Sequence, residues 1–200
     1  MFAKKTQAAL MLAASAALLG ACASYDMDDG QMASASADTT VMVGGAAMYP
    51  TRNIIENAVN SKDHTTLVAA VKAAGLVDTL SGPGPFTVFA PTNDAFDELP
   101  DGLVNALLQE ENLSQLQLVL TCHVVAADAM SDAIAGMISN AGGAYPIRTV
   151  GGCTMTGRME NGNIVIEDPR GRVATVTIAD VDQSNGVIHV IDRVLLPAEG

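Results

Sequence analysis

The feature that most constrains this chain is a change of period near its middle. After Gly142 the residues alternate in Thr154–Glu160 and Asn163–Glu167, which flank Asn161-Gly162. They alternate again in Arg172–Ala179, beyond the Pro169-Arg170-Gly171 turn, and in Val187–Ile191, after Asn185-Gly186. Asn-Gly between alternating runs signals a hairpin, because both central residues of a type I′ turn need positive φ. Antiparallel pairing is therefore expected in this half.

The earlier half reads as helices. Arg52–Val59 predicts a short helix, and Thr65 or Thr66 caps a second through Leu67, Val68, Val71 and Ala74, with Gly75 as its stop. Phe86–Ala90 is aromatic and β-branched and ends at Pro91, which makes it a strand. Thr92 or Asn93, Asp101 and Asn112 are expected caps of three more helices, and Ser131–Met137 predicts another. Helices first and a strand meander second define an α+β chain, not a doubly wound parallel sheet.

Composition narrows the class. Two hundred residues suit one domain with appendages. Apolar residues are 49% and charged ones 16%, too apolar for intrinsic disorder. The net charge of −12 would repel nucleic-acid phosphates.

Part of the apolar content sits at the N-terminus. Lys4 and Lys5 precede an apolar run from Ala8 to Leu19, too short to span a bilayer, so residues 1–21 are expected to be an export signal. Leu19-Gly20-Ala21-Cys22 resembles a bacterial lipobox, which implies acylation of Cys22. With Ala23 and not Asp after the Cys, the outer membrane is expected over the inner. Loss of residues 1–21 removes two Lys and no acid, leaving 8 basic against 22 acidic residues and a net of −14. Residues 22–48, rich in Ala, Ser, Gly, Asp and Met, are expected to be a flexible linker. The domain then spans 49–197, with a tail at 198–200.

Two motifs carry a resemblance. Thr87-Val88-Phe89-Ala90-Pro91-Thr92-Asn93-Asp94-Ala95-Phe96 resembles the first signature of fasciclin (FAS1) domains, and Asn185-Gly186-Val187-Ile188-His189-Val190-Ile191-Asp192-Arg193-Val194-Leu195-Leu196-Pro197 resembles the second. Leu120–Val125 is similar to the central Tyr-His segment of the family, with Cys122 in place of the Tyr and His123 matching. The resemblance implies a wedge-shaped β-sandwich of about seven strands with helices packed alongside. It also implies a non-enzymatic role in adhesion or extracellular interaction, with His123 the candidate contact residue. The expected partner is another envelope or extracellular protein or polymer, with the membrane reached through lipid on Cys22. The alternative is a periplasmic binding protein for a small apolar or signalling ligand, held between helices and sheet.

No constellation in the residues favours catalysis or a cofactor. An exported chain can join Cys122 to Cys153, and the chain-entropy argument assigns such a bridge roughly 3–4 kcal/mol, but spacing alone leaves the pairing open. On a strand, Cys122 and His123 would face opposite ways and form no nucleophile–base pair. His64 is expected to be a solvated loop residue and His189 a structural one. No two histidines have metal-ligand spacing. Asp26, Asp28 and Asp29 read as linker charge, Asp180–Gly186 as a hairpin rather than a Ca²⁺ loop, and Gly82–Pro85 as a turn.

Overall fold

A computed structural model describes residues 40–100 and 102–198. The signal, Cys22, the acidic triplet 26–29, Asp101 and most of the tail lie outside the described residues. The elements run β1 (Val41–Val43), β2 (Ala46–Met48), α1 (Ile54–Ala58), α2 (Thr65–Ala73), α3 (Val77–Ser81), β3 (Phe86–Pro91), α4 (Asn93–Asp97), α5 (Leu103–Leu107), α6 (Leu113–Thr121), β4 (Val124–Val125) and α7 (Ser131–Asn140). The meander β5 (Ala144–Arg148), β6 (Thr154–Glu160), β7 (Asn163–Glu167), β8 (Val173–Gln183) and β9 (Gly186–Ile191) completes the fold. The chain is α+β, with helices mostly in its first half.

Local chemistry sets most helix starts. Asn53 and Glu56 form a reciprocal capping box on α1, and the Thr92 hydroxyl accepts the Ala95 amide to cap α4. Two expected caps act differently. Thr65 opens α2 without capping it; the carboxamide oxygen of Asn93 accepts the Thr66 amide instead. Asn112 makes no cap bond and donates from Nδ2 to the Ala106 carbonyl.

The sheet order is β4-β3-β9-β8-β7-β6-β5. All neighbours are antiparallel except β3 and β9, second and third in the order, which run parallel with Thr87 beside Val187 and Phe89 beside His189. The two signature motifs thus lie side by side. Both faces of this pair are covered. Val88, Ala90, Ile188 and Val190 pack against α1–α6, whereas Phe89 and Ile191 join a second core with α7 and β5–β8. Burial on both faces is why these strands are nearly continuous apolar runs.

The sheet does not stay open. β4 and β6 are first and sixth in the order, so on a flat sheet they would stand about 24 Å apart. Instead the Val150 amide of the β5–β6 connection donates to the Val124 carbonyl at 2.7 Å, and Gly151 donates to Thr121 at 3.0 Å. The bend falls in the long strand β8, whose register against β9 shifts twice and where Asp180 adopts φ 57°.

Three sequence expectations need correction. Residues 41–48, assigned to the linker, form a hairpin whose Val43 and Met48 enter the first core. Its turn is Gly44-Gly45, both at positive φ, a hairpin signal hidden by linker-like composition. β5 adds a strand to those the sequence predicts, and it carries Pro146 at the sheet edge, where proline is tolerated. His64, expected in solvent, is buried.

Candidate functional site

The segment Thr121–Val125 holds the residues that the sequence marks most strongly, and it is not a strand where Cys122 and His123 stand. Cys122 closes α6, and His123 follows in the turn before β4. Cys122 is joined to Cys153, with Cα atoms 5.4 Å apart. The bridge fastens the end of α6 to the β5–β6 connection, the same seam that Val150 and Gly151 close. No thiol is left at Cys122 for nucleophilic chemistry.

His123 is 2% exposed and cannot touch a partner in the folded state. Its Nδ1 lies 2.8 Å from the Val119 carbonyl and Nε2 accepts the Leu195 amide at 2.9 Å. An accepting Nε2 requires the neutral tautomer with its proton on Nδ1. Burial pushes the ring pKa down to about 4, against smaller opposing effects of the Val119 carbonyl and Asp168. His123 therefore ties the end of α6 to the C-terminal segment, and the structure places this candidate interaction residue inside the domain rather than at its surface.

The other signature side chains are spent in the same way. The Thr87 hydroxyl donates to the Ala127 carbonyl at 2.7 Å and accepts the Ala129 amide at 2.9 Å, holding the loop before α7. Asn93 accepts from Thr65 and Thr66 and donates to the Lys62 carbonyl. Ala90, Phe96 and Leu195 fill cores, and Pro91 ends β3. Asn185 accepts the Ile54 amide and donates to the Leu80 and Gly82 carbonyls. Gly186 sits so close to β3 that a Cβ would lie 1.9 Å from the Phe86 carbonyl. Asp192 accepts the Thr175 amide at 2.7 Å.

His189 is fully buried against the Phe89 ring, centroids 5.8 Å apart. It accepts the Asp180 amide at Nδ1, and its Nε2 lies 2.8 Å from the Ala129 carbonyl. Burial lowers its pKa as well. The Asp180 carboxylate binds the Ser131 amide and hydroxyl at the start of α7. Ser131, Asp180 and His189 are neighbours, but the hydroxyl faces the carboxylate and not the imidazole, so no Ser-His-Asp relay exists. Asp180 and Asp182 belong to β8 rather than to a cation loop. Among the described residues no group of three or more His, Cys, Asp or Glu could hold a metal, and no helix is long and apolar enough to cross a membrane.

Two side chains escaped the sequence reading. Asp168 accepts the Arg170 and Arg172 amides at Oδ1 and the Leu196 amide at Oδ2, so it fixes both the β7–β8 turn and the C-terminal segment. Asp before Pro marks a turn, but nothing local points to Leu196. Asn57 is buried and bonded to Gln183 and to the backbone of Tyr49.

A signature spent on architecture identifies a domain class, and the comparisons agree. The profile of the fasciclin domain matches residues 62–197. The chain belongs to the fasciclin domain family. It is 44% identical over 165 residues to Protein sll1483 of Synechocystis, covering 80% of this chain and 82% of that one. Uncharacterized protein sll1735 of the same organism is 42% identical over 147 residues, 72% of this chain and 97% of that one. Transforming growth factor-beta-induced protein ig-h3 of Sus scrofa is 35% identical over 132 residues, 66% of this chain but 17% of that protein. A solved FAS1 domain pair from the insect cell adhesion molecule Fasciclin I shares the fold, with TM-score 0.65, 18% identity and coverage of 78% of this chain and 57% of that one.

Proposed function

We propose that this protein is a membrane-tethered, non-enzymatic adhesion or extracellular interaction module of the cell envelope. Lipid on Cys22 anchors it, in the outer membrane rather than the inner, and the fasciclin domain meets another envelope or extracellular protein or polymer. The observation that carries this reading is the internal use of the signature residues. Thr87, Asn93, His123, Asn185 and His189 hold segments together, so recognition falls to the exposed surface. That surface belongs to a chain with a net charge of −14 after loss of residues 1–21, which favours cationic partners or contacts bridged by Ca²⁺ over bare anionic polysaccharide.

Two measurements test the proposal. Cys22→Ala should move the protein from the membrane fraction to the soluble one; unchanged partitioning would remove the anchor. Deletion of residues 41–197 should reduce cell–cell or cell–surface attachment, and unaltered attachment would remove the adhesive role.

A further inference from the structure

Cations are scarce in this acidic chain, and three of them share one cleft. Among the described residues eight are Lys or Arg. Of these, Arg170, Arg172 and Arg193 line a surface cleft of about 420 Å³ whose only acidic wall residue is Glu98. The cleft gathers distant parts of the chain: the stretch from the end of α4 into α5, the β7–β8 turn, and the segment after β9. Its local charge is opposite to the net charge of −12.

The arginines are held in place from behind. Asp168, 3% exposed, accepts the Arg170 and Arg172 amides at Oδ1 and the Leu196 amide at Oδ2, so one buried carboxylate fixes the backbone of three residues in the wall. The Arg170 side chain donates from Nε to the Pro197 carbonyl at 2.7 Å. Arg193 donates from Nε and Nη2 to one oxygen of Glu98, at 3.0 and 2.8 Å. Arg172 is half-buried, and among the described residues its guanidinium has neither an ion pair nor a side-chain hydrogen bond.

This wall selects a carboxylate with an aliphatic flank. A guanidinium fork matches the paired oxygens of a carboxylate or phosphate, and the group already seated on Arg193 is a carboxylate. That pair is exposed, with side chains 40% and 51% accessible. Exposed pairs hold weakly, so an incoming carboxylate can replace Glu98. Pro100, Leu103 and Leu196 add aliphatic surface beside the charges, which a bare inorganic anion would leave uncovered. The wall has no aromatic ring on which the face of a sugar stacks. A cleft open to solvent suits a segment of a macromolecule, whereas a small ligand is held by enclosure. We propose that this cleft binds an acidic peptide segment of a partner protein. One carboxylate pairs with Arg172, another displaces Glu98 from Arg193, and an aliphatic side chain lies against Pro100, Leu103 and Leu196. The proposal rests on the interaction role given above and supplies the chemistry of one partner, at a place where the chain-wide preference for cations is reversed.

The test is a nuclear magnetic resonance titration of the purified protein with the peptide acetyl-Glu-Leu-Glu-Leu-Glu-amide. It is run at about 0.15 M salt, where a Debye length of about 8 Å screens the distant acids. The amides of Arg170, Arg172 and Leu196 should shift saturably, and the same peptide with Gln for Glu should leave them unmoved. Arg172→Gln keeps the backbone bond to Asp168 and should weaken the peptide about tenfold, whereas Glu98→Gln should tighten it about threefold or more. Lys72→Gln, at an exposed cation on α2, should stay within about twofold of wild type. The proposal is overturned if those wild-type amides do not move, if Glu98→Gln binds no tighter, or if Lys72→Gln weakens the peptide as much as Arg172→Gln does. It is equally overturned if inorganic phosphate or an oligouronate shifts the same amides at concentrations no higher than the peptide needs, which would make the cleft a general anion or glycan site. Binding is read in solution without cells, so loss of attachment and failure of this cleft are separate results, and the first readout needs no variant.

Discussion

The side-chain oxygen of Asn185 accepts the backbone amide of Ile54 at 3.0 Å, across 131 positions of sequence. The same carboxamide donates to the carbonyls of Leu80 and Gly82, both at 2.9 Å. One side chain in the β8–β9 turn thus fixes the start of α1 and the end of α3. Asn185→Ala leaves three backbone groups unpaired and should lower stability by about 2–4 kcal/mol. The check is urea unfolding, with a lower midpoint at unchanged slope.

Two glycines should respond in opposite directions. At Gly186, φ is 149° and an added Cβ would lie 1.9 Å from the Phe86 carbonyl oxygen. Gly186→Ala should cost about 3 kcal/mol or more, because the parallel pairing of β3 with β9 has to open. Gly136 lies within α7, and a Cβ there would meet nothing within 4 Å. Gly136→Ala should stabilise by about 0.5–1 kcal/mol, since alanine loses less backbone freedom in a helix. Thermal unfolding of both variants decides the pair.

Acid should destabilise the domain from near neutrality downward. Burial lowers the pKa values of His64, His123 and His189, that of His123 to about 4. The unfolded chain, with histidines near their ordinary 6.5, binds more protons than the folded one between these values, so stability rises with pH there. The contribution is fully present above pH 6.5 and is lost as pH falls through the folded values. For His123 it amounts to on the order of 3 kcal/mol. Urea midpoints measured from pH 7.5 to 4 should fall steadily, and less steeply in His123→Gln. A flat profile in the wild type would contradict the neutral, buried rings.

The Cys122–Cys153 bridge should be worth roughly 3–4 kcal/mol. Protein denatured without reductant should show neither thiol, and reduction should lower the urea midpoint. Because the bridge spans the seam where the sheet closes, hydrogen exchange of the Val150 and Gly151 amides should accelerate on reduction. Unchanged exchange would mean that those two amide bonds close the seam unaided.

Much of this architecture could be read from residues alone, where the signal was local. The Asn161-Gly162 turn and its flanking runs give β6 and β7 with the expected bounds, and apolar spacing gives α2 and α6. What escaped depends on distant partners. His64 follows Lys62 and Asp63 and looks solvent-facing, but the turn that carries it is held by Gly44 and Asn93. The His123 side chain is bonded by Leu195, far along the chain. The motif announced that His123 matters, and only the packing says that it matters as a fastener. The Cys122–Cys153 pair required knowing that the sheet curls. No periodicity reveals that, because the bend rests on Asp180 in a left-handed conformation within β8.

The strand order places β9 between β3 and β8, although it is the final strand in the chain. Until Gly186–Ile191 inserts, β3 has no partner along its inner edge and each core lacks one wall. The keystone therefore arrives last. A chain truncated before Gly186 should leave β3 and β8 without their shared neighbour and should be cleaved by protease faster than the full domain.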